Sequence, residues 1–234
     1  MKRLELPVRR AAAFAALFVP YIASSQVPML PAAPAQGLQA VAQSAAWNNQ
    51  RLHAYRWVET VTVTVGGRQQ PPRQALCWYA ADGTITRLQI SAPQAEPTGG
   101  PLRKSKIAEV AAEIDAAREL NARYLPIRPD ELVRALQIRR VQYQRDGFND
   151  EQVLVMDYEK PGDQLRFSLD PVSRLLRAIT VSTYFVTPAD PMSTTVQFAT
   201  LVDGTRYPSV TILEAPSKQL SIRIDNAGYS LVRS

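Results

Sequence analysis

Residues 198–214 read FATLVDGTRYPSVTILE, two runs of apolar and β-branched residues hinged on Asp203 and Gly204. Asp-Gly between such runs marks a tight antiparallel hairpin, because the turn demands a positive φ that glycine adopts without strain. The next run carries the pattern further. Leu220, Ile222 and Ile224 alternate with Gln219, Ser221, Arg223 and Asp225, which gives a strand dry on one side and wet on the other. The dry side needs a cover, and the rest of the chain has to supply it.

Working outward, turn signals set a regular rhythm: Asp146-Gly147, Pro161-Gly162, Asp170-Pro171, Pro188 to Pro191 and Ala215-Pro216. Between them lie QVLVMDY, QLRFSL, SRLLRAITVSTYFV and STTVQFATLV, which read as further strands. Upstream, YRWVETVTVTVGG places Trp57, Val61, Val63 and Val65 on one face and Thr60, Thr62 and Thr64 on the other. RQALCWYAADGTITRLQI then supplies two strands hinged at Asp82-Gly83, completing a first meander. The total is about ten strands. Tight turns make consecutive strands antiparallel neighbours, since a parallel pair needs a crossover of a dozen or more residues.

Two segments carry the helical period instead. Leu38, Val41, Ala42, Ala45, Ala46, Asn49 and Leu52 predict a first helix ending near His53. Ile107, Val110, Ala111, Ile114, Ala117, Leu120 and Tyr124 recur at steps of three and four, predicting a long helical insert after the third strand. Pro126 stops it, and Pro129 before DELVRAL opens a short second helix. The insert, with its apolar stripe, is one candidate cover for the sheet; the first helix is the other.

The beginning of the chain is a processing signal. Lys2, Arg3, Arg9 and Arg10 precede the apolar run AAAFAALFV, and Ala23 and Ser25 are small residues spaced for cleavage after Ser25; Ala33 with Ala35 forms a second such site. The run is interrupted by Pro20 and falls short of the roughly 20 apolar residues of a membrane span. The expected organisation is a signal peptide over 1–25, a Pro/Ala-rich flexible lead-in over 26–37 and one folded domain over 38–234, with a periplasmic or secreted location and no transmembrane segment in the mature chain. Loss of residues 1–25, with four basic residues and one acid, lowers the net charge from +6 to +3, too mild to argue for nucleic acid. Cys77 is the only cysteine, so the mature fold rests on its core without an intramolecular disulfide.

The chain offers little for catalysis. His53 is the only histidine, which rules out a multi-histidine metal site, and no G-x-S-x-G motif is present. Cys77 lies in the apolar run ALCWYA, where an unpaired cysteine behaves as a small hydrophobe. The acids of RDGFNDE, residues 145–151, do not fit a calcium-loop spacing and read as hairpin chemistry. Arg139, Arg140 and Arg145, or Arg103, Lys104 and Lys106, could meet anionic head groups but read first as solvated faces. No cofactor, no metal and no catalytic residue is assigned, and an enzyme is not expected.

Three stretches, L-x-x-Y-R-W-V-E-T over 52–60, Y-A-A-D-G from Tyr79, and DGTRYPSVTILEAPSKQLSIRIDNAGY over 203–229, together resemble a group of secreted bacterial proteins similar in fold pattern to the outer-membrane lipoprotein carriers. The resemblance implies a mainly β, α+β fold: a single curved antiparallel sheet or partial β-barrel of about ten strands, with helices packed on its concave face. It also implies an apolar cavity there, which in the carriers takes acyl chains. On that frame, Trp57, Val61, Trp78, Val110 and Ile114 are the candidate ligand-lining residues. Trp57 and Trp78 stand on neighbouring strands of the first meander, and Val110 and Ile114 on the stripe of the insert. Two functions follow. One is an exported, non-catalytic binding protein holding a lipid, an acyl chain or a lipoprotein anchor; the other is an envelope interaction module with a filled core, whose sheet edge meets a protein partner.

Overall fold

The computed structural model describes residues 41, 47, 48, 50–90, 101–125, 127, 129–138, 140–146, 150–170, 172, 173 and 175–232. The expected leader and lead-in over 1–37 lie outside these residues, as do most of the first helix, the middle of RDGFNDE, and the side chains of Arg103, Lys104, Lys106, Arg139 and Arg145. The described part of the first helix is helical through Leu52 and turns at His53.

Eleven strands are described: β1 (Tyr55–Val65), β2 (Arg68–Gln69), β3 (Arg73–Tyr79), β4 (Ile85–Gln89), β5 (Val141–Asp146), β6 (Asp150–Met156), β7 (Gln164–Leu169), β8 (Leu176–Tyr184), β9 (Pro191–Thr200), β10 (Arg206–Ala215) and β11 (Leu220–Leu231). Helices α1 (Pro101–Ala122) and α2 (Pro129–Gln137) stand between β4 and β5. The strands form one open, curled antiparallel sheet, a partial β-barrel, in the order β4-β3-β1-β11-β10-β9-β8-β7-β6-β5, with β2 paired to β1. The expectation of about ten strands is met, plus the two-residue β2 that flanks the Gly66-Gly67 turn.

Two local meanders compose this order, β1 to β4 and β5 to β11. They are fused by one pairing between distant segments, in which β1 lies against β11 from Tyr55 opposite Leu231 to Val65 opposite Leu220. One irregularity interrupts it. Arg56 faces Ser230 and Val58 faces Ala227, so β11 carries an extra residue opposite Trp57. Gly228, at φ +65°, supplies the left-handed backbone that this bulge requires. A second bulge, between Pro208 and Val210, lets β10 hold a proline inside the sheet: the position that cannot donate a ladder hydrogen bond falls where the register already shifts. Asn226 then donates to the Pro208 carbonyl from the neighbouring strand at 2.9 Å.

The main core lies on one face of β5 to β11. Val153, Val155, Leu165, Phe167, Ile179 and Val181 are fully or almost fully buried there, under Ala117, Leu120 and Tyr124 of α1 and its C-terminal turn and under Leu132 and Ala135 of α2. The predicted stripe of α1 is therefore real but unevenly used. Its C-terminal half is buried, Val110 and Ile114 are half-buried, and Ala111 is exposed. The amphipathic α2 begins with Pro129, Asp130 and Glu131, acids placed where the helix dipole favours them.

What fixes the buried end of α1 is polar. The Tyr124 hydroxyl, fully buried, donates to Asp163 Oδ2 at 2.6 Å and lies 2.8 Å from Thr183 Oγ1. Asp163 is buried as well and accepts backbone N–H groups from Tyr158, Glu159 and Lys160, closing the β6–β7 turn around its carboxylate. Burial, with the neighbouring carboxylate, pushes the Tyr124 phenol far above its ordinary range, so it stays protonated and donating. The first helix is held in a similar way at the opposite end of the sheet. Asp203, the residue of the opening hairpin, accepts from Arg51 at 2.6 Å, from Tyr55 at 2.8 Å and from the Thr205 amide at 2.9 Å.

Two outcomes test these anchors. Tyr124→Phe removes one buried donor and should lower unfolding stability by about 1–3 kcal/mol in urea titration; an unchanged midpoint would show that apolar packing alone holds α1. For Asp203, hydrogen bonds from the Thr205 amide, then from Tyr55 and Arg51, hold the carboxyl well below the usual range. A depressed carboxylate stabilises the fold above its unfolded value, about pH 4, and loses that contribution as pH falls below it. Asp203→Asn should thus be less stable than the parent at pH 7, with a gap that narrows on acidification in thermal melts. A gap independent of pH would contradict the linkage.

Candidate functional site

The same inner face of the sheet is handled differently over β1, β11 and β10. Cross-strand pairing lines up Val61 with Ile224, Val63 with Ile222, and Ile222 with Leu213, all on the face that α1 overlooks. This aliphatic floor is overlooked by α1, from Val110 through Ile114 to Ala122, and by Leu125 just beyond it, and between them runs a cleft of about 1810 Å³. That volume exceeds the roughly 300–1,000 Å³ of a pocket for a drug-sized molecule.

Beyond one end of the floor, past Glu59, lies a cluster of aromatic rings. Trp57 lies 5.5 Å from Tyr229 with rings nearly parallel and 5.4 Å from Tyr79; Tyr207 packs on Tyr229 at 4.2 Å, and His53 stacks on Tyr79 at 4.4 Å. Cys77, directly opposite Trp57 on β3, is buried beneath them. Between this aromatic cluster and the aliphatic floor stands Glu59, nearly buried and held by both ends of the Arg87 guanidinium fork at 2.9 and 3.2 Å. A planar, two-point contact of this kind is the arrangement in which arginine binds a carboxylate most firmly.

The other end of the floor opens at two turns. The Gly66 amide donates to the Gln219 carbonyl at 2.9 Å, which brings the β1–β2 turn beside the β10–β11 turn. Arg68 and Lys218 line the cleft from this side, and Arg73, opposite Val61, lines it midway along the floor.

Of the five residues singled out from sequence, Val61, Val110 and Ile114 meet in the cleft. Trp57 is on the same sheet face but sits beyond Glu59, in the aromatic cluster. Trp78 does not join it: Trp57 pairs with Cys77, and Trp78 pairs with Arg56, so the two tryptophans point to opposite faces of the sheet. The expectation of a tryptophan pair on one wall is corrected by that one-residue register. Glu59 was passed over in the sequence although its position carried a signal, a carboxylate between Trp57 and Val61 on an otherwise apolar face.

His53 and Cys77 are not placed to act together, the first being stacked on Tyr79 and the second enclosed on β3. Among the described residues, no group of three or more His, Cys, Asp or Glu side chains could hold a metal ion. No helix among them is long and apolar enough to cross a membrane.

No protein-family model matches the chain, and no curated protein does. Among solved structures it is similar to a putative outer membrane lipoprotein-sorting protein domain from Vibrio parahaemolyticus, at 9% identity over 85% of this chain and 93% of that one, with a TM-score of 0.44. It is also similar to a LolA superfamily protein from Nitrosomonas europaea, at 8% identity over 82% and 94% of the two chains with a TM-score of 0.38. A DUF1329 family protein from Desulfovibrio piger shares 8% identity over 83% and 93%, with a TM-score of 0.39.

Burial pushes the Cys77 thiol up to about 11. The native protein should therefore resist a thiol-specific reagent at pH 8 and react stoichiometrically once unfolded in urea. Because the thiol is raised above its unfolded value, its contribution to stability is complete below about pH 8.5 and is lost as pH rises toward 11. Rapid native-state labelling would show that the aromatic cluster opens.

Proposed function

We propose that this chain is an exported, non-catalytic binding protein that holds an apolar ligand, a lipid, an acyl chain or a lipoprotein anchor, in the cleft between the curled sheet and α1. The observation that carries the reading is that the packed core runs on into a cleft of about 1810 Å³ beside α1, where Val61, Val63, Val65 and Ile224 of the sheet and Val110 and Ile114 of α1 are only partly buried. An interior that merely needed filling would have α1 seated along its whole length, since uncovered apolar surface costs roughly 25 cal/mol per Å². In this reading Val61, Val110 and Ile114 contact the chain, Trp57 stands behind Glu59 in the aromatic cluster, and Trp78 takes no part. The leader over residues 1–25 delivers the protein to the periplasm or beyond, where lipids and lipoproteins are the apolar solutes at hand.

A second reading, an envelope module for a protein partner, is favoured by the β4 edge. Leu88 and the adjoining Ile90 are exposed beside a strand with one unpaired side, which could accept a partner strand.

The test is mass spectrometry of organic extracts from residues 26–234, purified without detergent from an exporting host. A stoichiometric lipid is expected, lost in a Val63→Trp variant that fills the floor while keeping the wild-type circular dichroism. A clean extract, together with no uptake of hexadecanoate or an apolar fluorescent probe, would reject the ligand and leave the edge-strand reading.

A further inference from the structure

Building on the reading of β4 as an edge that accepts a strand, we infer that the partner is a second copy of this chain, joined antiparallel through β4 so that Leu88 of one copy faces Leu88 of the other. On the outer face of the first meander, turned away from the cleft, the register lines up Ala227 of β11, Val58 of β1, Leu76 of β3 and Leu88 of β4 in one row across four strands. Val58 and Leu76 are half-buried, Ala227 is exposed, and Leu88 is 55% exposed. Trp78, which the register sends to this face, lies in the next row, opposite Thr86, and the exposed Ile90 follows on the other side.

The row runs out at β4, the last strand in the sheet order, and no described strand lies on its far side. A single exposed leucine needs no explanation, but an apolar row that reaches an open edge does. Edges of natural sheets are ordinarily blunted by a proline, a bulge or an outward charge. β4 has no proline, and it pairs with β3 without a register shift. Its one charge, Arg87, is on the cleft face, held to Glu59.

The strand is also complementary to itself. Two copies form a closed pair about a two-fold axis, and in one continuous antiparallel sheet that axis passes through a residue of β4, which then stands opposite its own counterpart. Two positions give the longest overlap. An axis at Arg87 sets one guanidinium against the other, and like charges directly opposite are destabilising. An axis at Leu88 sets Leu88 against Leu88, Thr86 against Ile90 and Arg87 against Gln89, with no like charges opposed. The Ile90 amide bonds the Gln74 carbonyl at 2.9 Å, so the extended strand reaches as far as this register requires. That bond also turns the backbone of Leu88, two residues earlier, toward β3, and Leu88 therefore meets its counterpart at a non-hydrogen-bonded position, where Cα atoms approach to about 4.5 Å. The apolar row then continues from Val58 of one copy to Val58 of the other. Both copies turn their clefts the same way, and Arg87 and Gln89, which line the cleft in each, meet at the seam.

Sedimentation of residues 26–234 should show a monomer at about 1 µM and a doubled mass at about 200 µM, the range expected of a short ladder with a small apolar contact. Leu88→Lys sets two ammonium groups face to face at an exposed position, and should stay monomeric throughout with unchanged circular dichroism. The register is read by disulfide formation: mild oxidation should link two copies of Leu88→Cys, and link Ile90→Cys, opposite Thr86, about tenfold less, with the native Cys77 buried and silent. A monomer at every concentration would overturn the inference, as would a dimer that tolerates Leu88→Lys and does not link through Leu88→Cys. A photo-crosslinking benzoylphenylalanine in place of Leu88, in the protein exported by its host, separates the second copy from the edge itself. Linkage to another copy is expected. Linkage only to a different protein would overturn the second copy and keep the edge reading, and linkage to nothing would overturn both.

Discussion

The pairing of β1 with β11 is the constraint on which the rest of the molecule depends. Each of the two meanders could form from contacts between neighbours in sequence, joined by turns with strong local signals. Neither contains a whole floor. Val61 and Val63 belong to one, Ile222 and Ile224 to the other, and only the antiparallel register between them sets these side chains in a row. Bringing residues 55–65 against residues 220–231 requires closing almost the entire described chain into one loop, whose entropy must be offset before the pair is rewarded. Two features reward it: the continuous run of ladder hydrogen bonds and the stacking of Trp57 on Tyr229, which occurs where Gly228 bulges the strand. The aromatic cluster is thus part of the seam.

Helices on a sheet ordinarily settle by burying an apolar stripe, yet here the position of α1 is set at one point by a buried polar contact. Asp163 would be costly to bury alone. Three backbone amides and the Tyr124 hydroxyl satisfy it, and the helix end cannot move without breaking that set. Toward its N-terminal half the same helix is held less closely, with Val110 and Ile114 only half-buried. At the opposite end of the sheet Asp203 does comparable work for the first helix through Arg51 and Tyr55, but its partners are partly exposed and its hold is more open to solvent.

The strands, the turns and both insert helices were legible in the sequence because their signals are local. Asp82-Gly83 and Asp203-Gly204 mark hairpins whatever surrounds them, and the alternation of Leu220, Ile222 and Ile224 against Ser221 and Arg223 needs no knowledge of the partner strand. The seam between β1 and β11 left no such trace, since pairing between remote strands is decided by the closure of the whole sheet. The register of β3 against β1 was equally out of reach. A shift of one residue decides whether Trp57 meets Cys77 or Trp78, and composition is silent about it. The stripe of α1 was readable, but its height above the sheet was not, because Asp163 looks in sequence like one more turn residue after Pro161 and Gly162. Glu59 is the instructive case. Its position on the dry face of β1 was visible from alternation alone, and a carboxylate there demands a partner, which the structure supplies as Arg87.

A filled core and a ligand trough are often treated as rival readings of one apolar face, since both draw on the same residue types. In this sheet a packed core and a partly covered cleft are adjacent. The packed half, under Tyr124, Leu132 and Ala135, supplies the burial that lets the fold stand without a disulfide. Once stability is secured there, the floor over β1, β11 and β10 need not be covered by the protein's own side chains. Its aliphatic surface is presented on a paired strand ladder rather than on a loop, so a ligand of the proposed kind would require little ordering of the protein.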